Sequence, residues 1–338
     1  REHRRAWRMS VISMCLLGCS PTGLDAHIAG NKGQSGTTTR EHSELASPPW
    51  RPGYVRPMVI DIHAHLSASE DDLIARTLRV NGIERIVNLS GGSPGRGAEA
   101  SMRLSANVQT VDHFFNIDWR RRHQAEFGED MAMELKSSVE RFGFKGLKVS
   151  KALGLYLRDK RGVRIPVDWP ELNPLFKMAG TLGIPVAIHT GDPKAFWEPL
   201  DEHNERYEEL KVHPNWSFAS GDYPSREDLL KERDRLLERH RETTFICVHF
   251  GNNPEDLGYV DRLLARHPNV VLDTSARVPE FGRHPAAEVR ALFIKYADRI
   301  MFGTDIGLGR HIMLGSTGND EPTERDIKPF FDAHWRYF

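Results

Sequence analysis

The sequence predicts an α/β protein built as a closed (β/α)8 TIM barrel, and three observations carry that prediction. Eight short apolar segments recur between residues 58 and 305, amphipathic stretches of helical period lie between most of them, and five of the eight carry a histidine, lysine or aspartate towards their C-terminal end. Strand alternating with helix implies a parallel sheet. Eight such units match a closed barrel better than an open doubly wound sheet, whose first turn normally carries a glycine-rich dinucleotide fingerprint.

Taken in order, the strands are placed at 58–66, 84–90, 110–118, 144–150, 185–190, 244–250, 269–275 and 299–305. Helices are placed at about 70–81, 124–142, 170–182, 225–240, 256–267 and 286–297 from their apolar periodicity. The first strand, Val59-Ile60-Asp61-Ile62-His63-Ala64-His65, sets two imidazoles two residues apart on a β-branched run. Side chains alternate across a strand, so His63 and His65 share a face and can grip one ion. After the second strand, Gly91-Gly92-Ser93-Pro94-Gly95-Arg96-Gly97 fits neither the G-x-G-x-x-G nor the Walker spacing and reads as a flexible active-site loop. The fourth strand carries Lys148, the fifth ends on His189, the sixth on His249 and the eighth on Asp305. Arg277 stands just beyond Asp273-Thr274-Ser275 of the seventh. The longest connection, from Gly191 to about Ser225, holds Phe196, Trp197, Tyr207, Trp216, Phe218 and Tyr223. It reads either as a lid and specificity wall or as an excursion that buries its own aromatics.

Composition supports one large globular domain. In 338 residues, 39% hydrophobic content can fill a barrel core, and 28% charged residues with a net charge of −1 give a balanced surface that does not favour nucleic acid. Cys15, Cys19 and Cys247 offer neither a zinc knuckle nor a disulfide framework. Residues 1–57 are read apart from the fold. A basic start, an apolar run from Met9 to Leu17 and Leu16-Leu17-Gly18-Cys19-Ser20 resemble a bacterial lipoprotein signal, with Cys19 as the lipidated residue and a Gly/Ser/Thr/Pro-rich tether to residue 57. On that reading the protein is attached to a membrane of the cell envelope; on the alternative, an enzyme of the cytoplasm follows a misplaced start. Residues 58–338 form the catalytic domain. The chain opens on Arg1 rather than methionine and stops within a last helix that begins at Ile327, so a further C-terminal segment is expected.

Chemistry in such a barrel sits at the C-terminal ends of the strands, where every polar residue named above falls. Four histidines and an aspartate in equivalent positions suit one divalent ion, best Zn2+, which can lower the pKa of a bound water towards about 7. On this reading Asp305 both touches the metal and accepts the water's proton, while His249 polarises a substrate carbonyl or only orients Asp305.

The Asp61-Ile62-His63-Ala64-His65 start, His189, His249 and Gly303-Thr304-Asp305 together resemble the amidohydrolase superfamily, in its amidohydrolase-related branch, which also contains the aminocarboxymuconate-semialdehyde decarboxylase type. The resemblance implies that His63, His65, His189 and Asp305 bind one metal and that His249 approaches the substrate or the water as acid, base or electrostatic stabiliser. In binuclear relatives a carboxylated lysine occupies a position comparable to Lys148. In the branch suggested here, pairing of Lys148 with a substrate carboxylate or a neighbouring aspartate is favoured over carboxylation, and Arg277 is either a second anion clamp or a surface residue. The expected activity is metal-dependent hydrolysis of a C–N or C–O bond in a small organic molecule. Non-oxidative decarboxylation is the runner-up, and a non-catalytic metal-binding lipoprotein the reading from another class. Association with further copies of the chain is left open.

Overall fold

The computed structural model describes residues 58–219, 221, 223–315 and 321–338; the lipidation at Cys19 and the tether lie outside the described residues. Strands and helices alternate as β1 (Ile60–Leu66), α1 (Asp71–Asn81), β2 (Arg85–Asn88), α2 (Ala98–Asn107), β3 (Val111–Asn116), α3 (Phe127–Phe142), β4 (Gly146–Val149), α4 (Asn173–Leu182), β5 (Val186–Ile188), α5 (Arg226–Arg239), β6 (Phe245–Cys247), α6 (Leu257–Arg266), β7 (Val270–Asp273), α7 (Ala286–Lys295) and β8 (Ile300–Met301). Two short strands, β9 (Ile306–Leu308) and β10 (Ile312–Leu314), precede α8 (Glu324–Tyr337).

Strands β1 to β8 pair in sequence order and in parallel, β9 pairs in parallel with the other edge of β1, and β10 turns back antiparallel on β9. The chain from 300 to 308 therefore serves as one interrupted eighth strand. It closes the ring: Ile62 N–H donates to Phe302 O at 3.1 Å and Asp305 N–H to His63 O at 2.9 Å. Every predicted strand is present.

Val87, Leu89, Phe114, Ala187, Ile246 and Val248 form an apolar cluster, joined by Ile62, Val271 and Met301. These residues come from seven different strands or strand ends, so they plug the barrel. Gly146 belongs to that layer, since a Cβ there would lie 2.4 Å from the Phe114 ring. The larger cluster, including Phe127, Leu135, Phe176, Leu236 and Leu264, packs helices against the outer face. Helices α1, α3 and α4 each stop at a left-handed glycine, Gly82, Gly143 and Gly183.

Two expectations need correction. Helix α2 lies where no helix was placed, and the glycine-rich segment before it is a packed turn rather than a flexible loop. Ser93 and Arg96 exchange backbone hydrogen bonds at 3.1 and 2.8 Å, and a Cβ on Gly91 would meet Phe114 O at 2.4 Å. Gly91 and Gly92 serve close backbone approach, while Gly95 and Gly97 hold left-handed backbone at φ 71° and 99°.

Candidate active site

Register explains how the polar residues reach the barrel mouth. In β4, β5, β7 and β8 the residues two positions beyond the plug layer are Lys148, His189, Asp273 and Gly303, and one further step gives Ser275 and Asp305. Period-two alternation thus aims them inward. Strand β1 needs a bulge: Asp61 pairs with Ile86 but Ala64 with Asn88, so β1 carries one extra residue. That lets Ile62 join the plug while His63 and His65 still face the mouth. His249 is out of step with Ile246 and Val248; it reaches the site because it adopts φ 54°. Asp305 and Ala276 also hold left-handed backbone, at φ 65° and 54°, a strained state for residues other than glycine that clusters at functional sites.

The imidazoles converge on one carboxylate. Asp305 Oδ1 lies 3.2 Å from His63 Nε2 and 3.4 Å from His65 Nε2. His63, His249 and Asp305 offer ligand atoms that all lie within 4.8 Å of one another. His189 stands behind His249, with ring centroids 4.4 Å apart, and its Nε2 lies 3.5 Å from Asp192 Oδ1. The tightest group therefore contains His249, which was assigned to substrate chemistry, and not His189.

Three rings are tied back through Nδ1. His63 Nδ1 lies 2.7 Å from Asp273 Oδ2, His65 Nδ1 lies 2.6 Å from Ser90 Oγ, and His249 Nδ1 lies 3.0 Å from Ser275 O. Ser275 O only accepts, and Ser275 Oγ, also 3.0 Å from Nδ1, donates its own proton to Asp273 Oδ1 at 2.5 Å; with both neighbours accepting, the His249 proton belongs on Nδ1 and Nε2 faces the site bare. Carboxylate and hydroxyl partners at Nδ1 orient metal-binding histidines in the same way. The buried Nε2 atoms of His63 and His189 have no hydrogen-bond partner. Imidazole lone pairs beside a carboxylate, with orphaned buried nitrogens, suit a divalent ion such as Zn2+.

The electrostatics divide the histidines: His63 is raised by its carboxylate neighbours, while His65, His189 and His249 are lowered by burial. Burial would raise Asp305, but His63, itself raised above 6.5 against burial by Asp273 and Asp305, outweighs it with His65 and holds the carboxylate well below its usual range. Burial, reinforced by His189 and Arg277, pushes His249 well below 6.5, so its imidazole is neutral. Burial likewise brings His189 to about 4. Lys148 is 7% exposed, its Nζ has no partner, and burial lowers it from 10.5 to about 8 despite the nearby Asp273 and Asp305. Arg277 is 3% exposed; it donates from one terminal nitrogen to Ala276 O at 2.7 Å, while its Nε has no partner. Lys151 is not a free surface charge: Nζ contacts Asp192 Oδ2 at 2.6 Å and lies 5.8 Å from the Trp216 ring centre.

The connection after β5 buries aromatics of its own. Phe196 and Phe218 are buried, with Trp197 tilted against Phe218 at 4.6 Å and Tyr223 edge-on to it at 5.0 Å between ring centroids. Trp216 meanwhile reaches Lys151 beside His189. Sequence reasoning did not assign Asp273, whose Oδ1 also accepts from His249 N–H at 2.8 Å and Ser275 Oγ at 2.5 Å. It also missed Ser90, Asp192 and Asp61. Asp61 is fully buried, accepts from Thr304 Oγ1 at 2.6 Å and is pushed up to about 6 by burial against that bond. Asp273 shares the inward parity of Ser275, which could have flagged it; Ser90 and Asp192 lie beyond strand ends, where parity stops helping.

Residues 60–307 match the family described as Amidohydrolase. Among solved structures, 2,6-dihydroxybenzoate decarboxylase from Rhizobium is 15% identical, with 82% of this chain and 92% of that one covered and a TM-score of 0.48. For 5-carboxyvanillate decarboxylase from Sphingomonas paucimobilis the values are 12%, 83%, 98% and 0.43, and for dihydroorotase from Campylobacter jejuni 11%, 83%, 83% and 0.45. No curated protein matched the chain.

Proposed function

This chain belongs to the amidohydrolase family, and from that premise we propose that it is a metal-dependent hydrolase acting on a C–N or C–O bond of a small, acidic organic molecule. His63, His65, His189 and Asp305 would hold the ion, best Zn2+, with His249 close enough to compete for a place. A bound divalent ion supplies a water acidified towards neutrality and a Lewis acid for the scissile carbonyl.

The chain's own residues do the rest. Asp305, kept ionised by its histidines, accepts the proton of the attacking water and returns it to the leaving nitrogen or oxygen as the C–N or C–O bond breaks. Neutral His249, with its proton committed to Ser275 O, offers Nε2 as a second proton acceptor and not as a hydrogen-bond donor. Asp273 fixes the rings of His63 and, through the backbone, His249. Lys148 and Arg277, buried cations with unpartnered nitrogens, would receive the anionic group of the substrate, because a buried charge is costly until paired.

The observation that supports this reading is the placement of Asp305 Oδ1 between the Nε2 atoms of His63 and His65. Metal analysis of purified protein tests it: near-stoichiometric metal is expected, lost in His63→Ala, and full occupancy in a His63/His65 double-alanine variant would sink the assignment. An activity screen separating amide and lactone hydrolysis from CO2 release then tests the reaction; CO2 release alone would replace hydrolysis by decarboxylation.

A further inference from the structure

We propose that Asn88 and Ser90 are positioning residues for His65 and that, through them, the end of β2 sets the affinity of the metal cradle. This rests on the reading of His65 as a ligand. Its neighbour His63 is fully buried, with Asp273 Oδ2 at 2.7 Å and Ser275 Oγ at 2.9 Å from Nδ1. The side chain of His65, by contrast, is 42% exposed, and it meets Ser90 Oγ at 2.6 Å and Asp305 at 3.4 Å. Asp305 faces Nε2 on the side where the ion would bind, so Ser90, at Nδ1, is the contact that orients the ring from behind. When Nε2 is committed to an ion, the ring proton sits on Nδ1 and the hydroxyl oxygen accepts it.

Asn88 holds both ends of this arrangement. It is 1% exposed and closes β2, and its amide continues the ladder to β1: Oδ1 accepts Leu66 N–H at 2.9 Å, and Nδ2 donates to Leu66 O at 3.2 Å. Leu66 follows His65 directly, so the clamp falls on the backbone just past the ligand. The same Oδ1 accepts Ser90 N–H at 3.0 Å, an Asx turn that presents the Ser90 hydroxyl to the ring. One amide therefore fixes the β1 backbone beside the bulge and the hydroxyl that selects the tautomer.

The test is a zinc titration of the full chain against a competing chelator, with unfolding of the metal-free protein and 15N spectra of the histidine rings in parallel. Lost outer hydrogen bonds typically cost about 10–100-fold in metal affinity. Ser90 is exposed, so water can partly replace its hydroxyl, and Ser90→Ala should lose about tenfold with the metal-free unfolding curve unchanged. Ser90→Thr should keep wild-type affinity. Asn88→Ala should lose more, towards the upper end of that range, and in both alanine variants the Nδ1-protonated signature of His65 should weaken. Wild-type zinc affinity in Ser90→Ala and Asn88→Ala would overturn the inference while leaving the metal assignment intact. A wild-type protein that holds no zinc would instead overturn both.

Discussion

Replacing Lys148 by methionine should make the protein more stable and the enzyme worse. The ammonium is 7% exposed, its Nζ has no hydrogen-bond partner, and burial holds it at about 8 instead of 10.5. At about 1.4 kcal/mol per unit, that difference means the charged form costs the folded state on the order of 3 kcal/mol near neutral pH. The folded pKa lies below the unfolded one, so the unfolded chain binds more protons between pH 8 and 10.5, and wild-type stability should rise with pH through that window. Methionine has similar length and no charge. Lys148→Met should therefore gain about 2–3 kcal/mol at pH 7 in chemical denaturation of the metal-free protein, and its stability should stay level where the wild type climbs. If Lys148 pairs with a substrate anion, losing that charge-assisted contact costs at least about 2 kcal/mol, or roughly thirtyfold in kcat/KM, with metal content retained. A variant destabilised like an ordinary core truncation, or as active as wild type on an acidic substrate, would refute the reasoning.

His249→Asn should keep its metal and lose at least about a hundredfold in kcat, as removal of a proton acceptor does; loss of the ion from this variant, read by metal analysis, would move His249 into the ligand set. Asp305→Asn should cost as much or more in kcat, because it weakens both the cradle and the proton acceptor. His113 should share the acid sensitivity with His189, His240 and His249, which burial also lowers; His113 falls to about 4, with Nδ1 and Nε2 lying 3.1 Å from Asn88 Nδ2 and 2.9 Å from Ser105 Oγ. Its folded pKa is depressed, so its stabilising contribution is complete above 6.5 and is lost as pH falls towards 4, by up to about 3 kcal/mol. His113→Asn should make the stability profile shallower across that window while the other buried histidines keep the remaining slope, and an unchanged slope in denaturation titrations would contradict this.

The fold was legible because β-strand parity and helical period survive in single residues. The eight strands fell where apolar runs ended on polar residues, and the shared face of His63 and His65 followed from alternation. Helix α2 was missed because Ala98–Asn107 buries only Ala98, Ser101 and Leu104, too thin an apolar stripe to separate from a loop. The glycine-rich turn was misread because composition cannot distinguish a glycine needed for freedom from one needed for clearance, and Gly91 lies against Phe114 O. Asp273 was passed over because it sits between two residues that invite attention, Leu272 in the core and Arg277 at the rim.

His249 shows where one-dimensional reasoning stops for the site. Parity from Ile246 and Val248 would send it to the outer face, and only the left-handed backbone at His249 and Phe250 returns it to the mouth. That turn also decides its chemistry. With Asp273 Oδ1 accepting its backbone N–H at 2.8 Å and Ser275 O facing Nδ1 at 3.0 Å, the ring is oriented by the end of β7 and its proton lies on the side away from the centre. A neutral imidazole in that tautomer turns a lone pair to the centre, suited to accepting a proton or binding a metal. Among the described residues, Lys148 and Arg277 bring buried unpartnered nitrogens beside His249 and Asp305, and a cation so placed suits a developing negative charge.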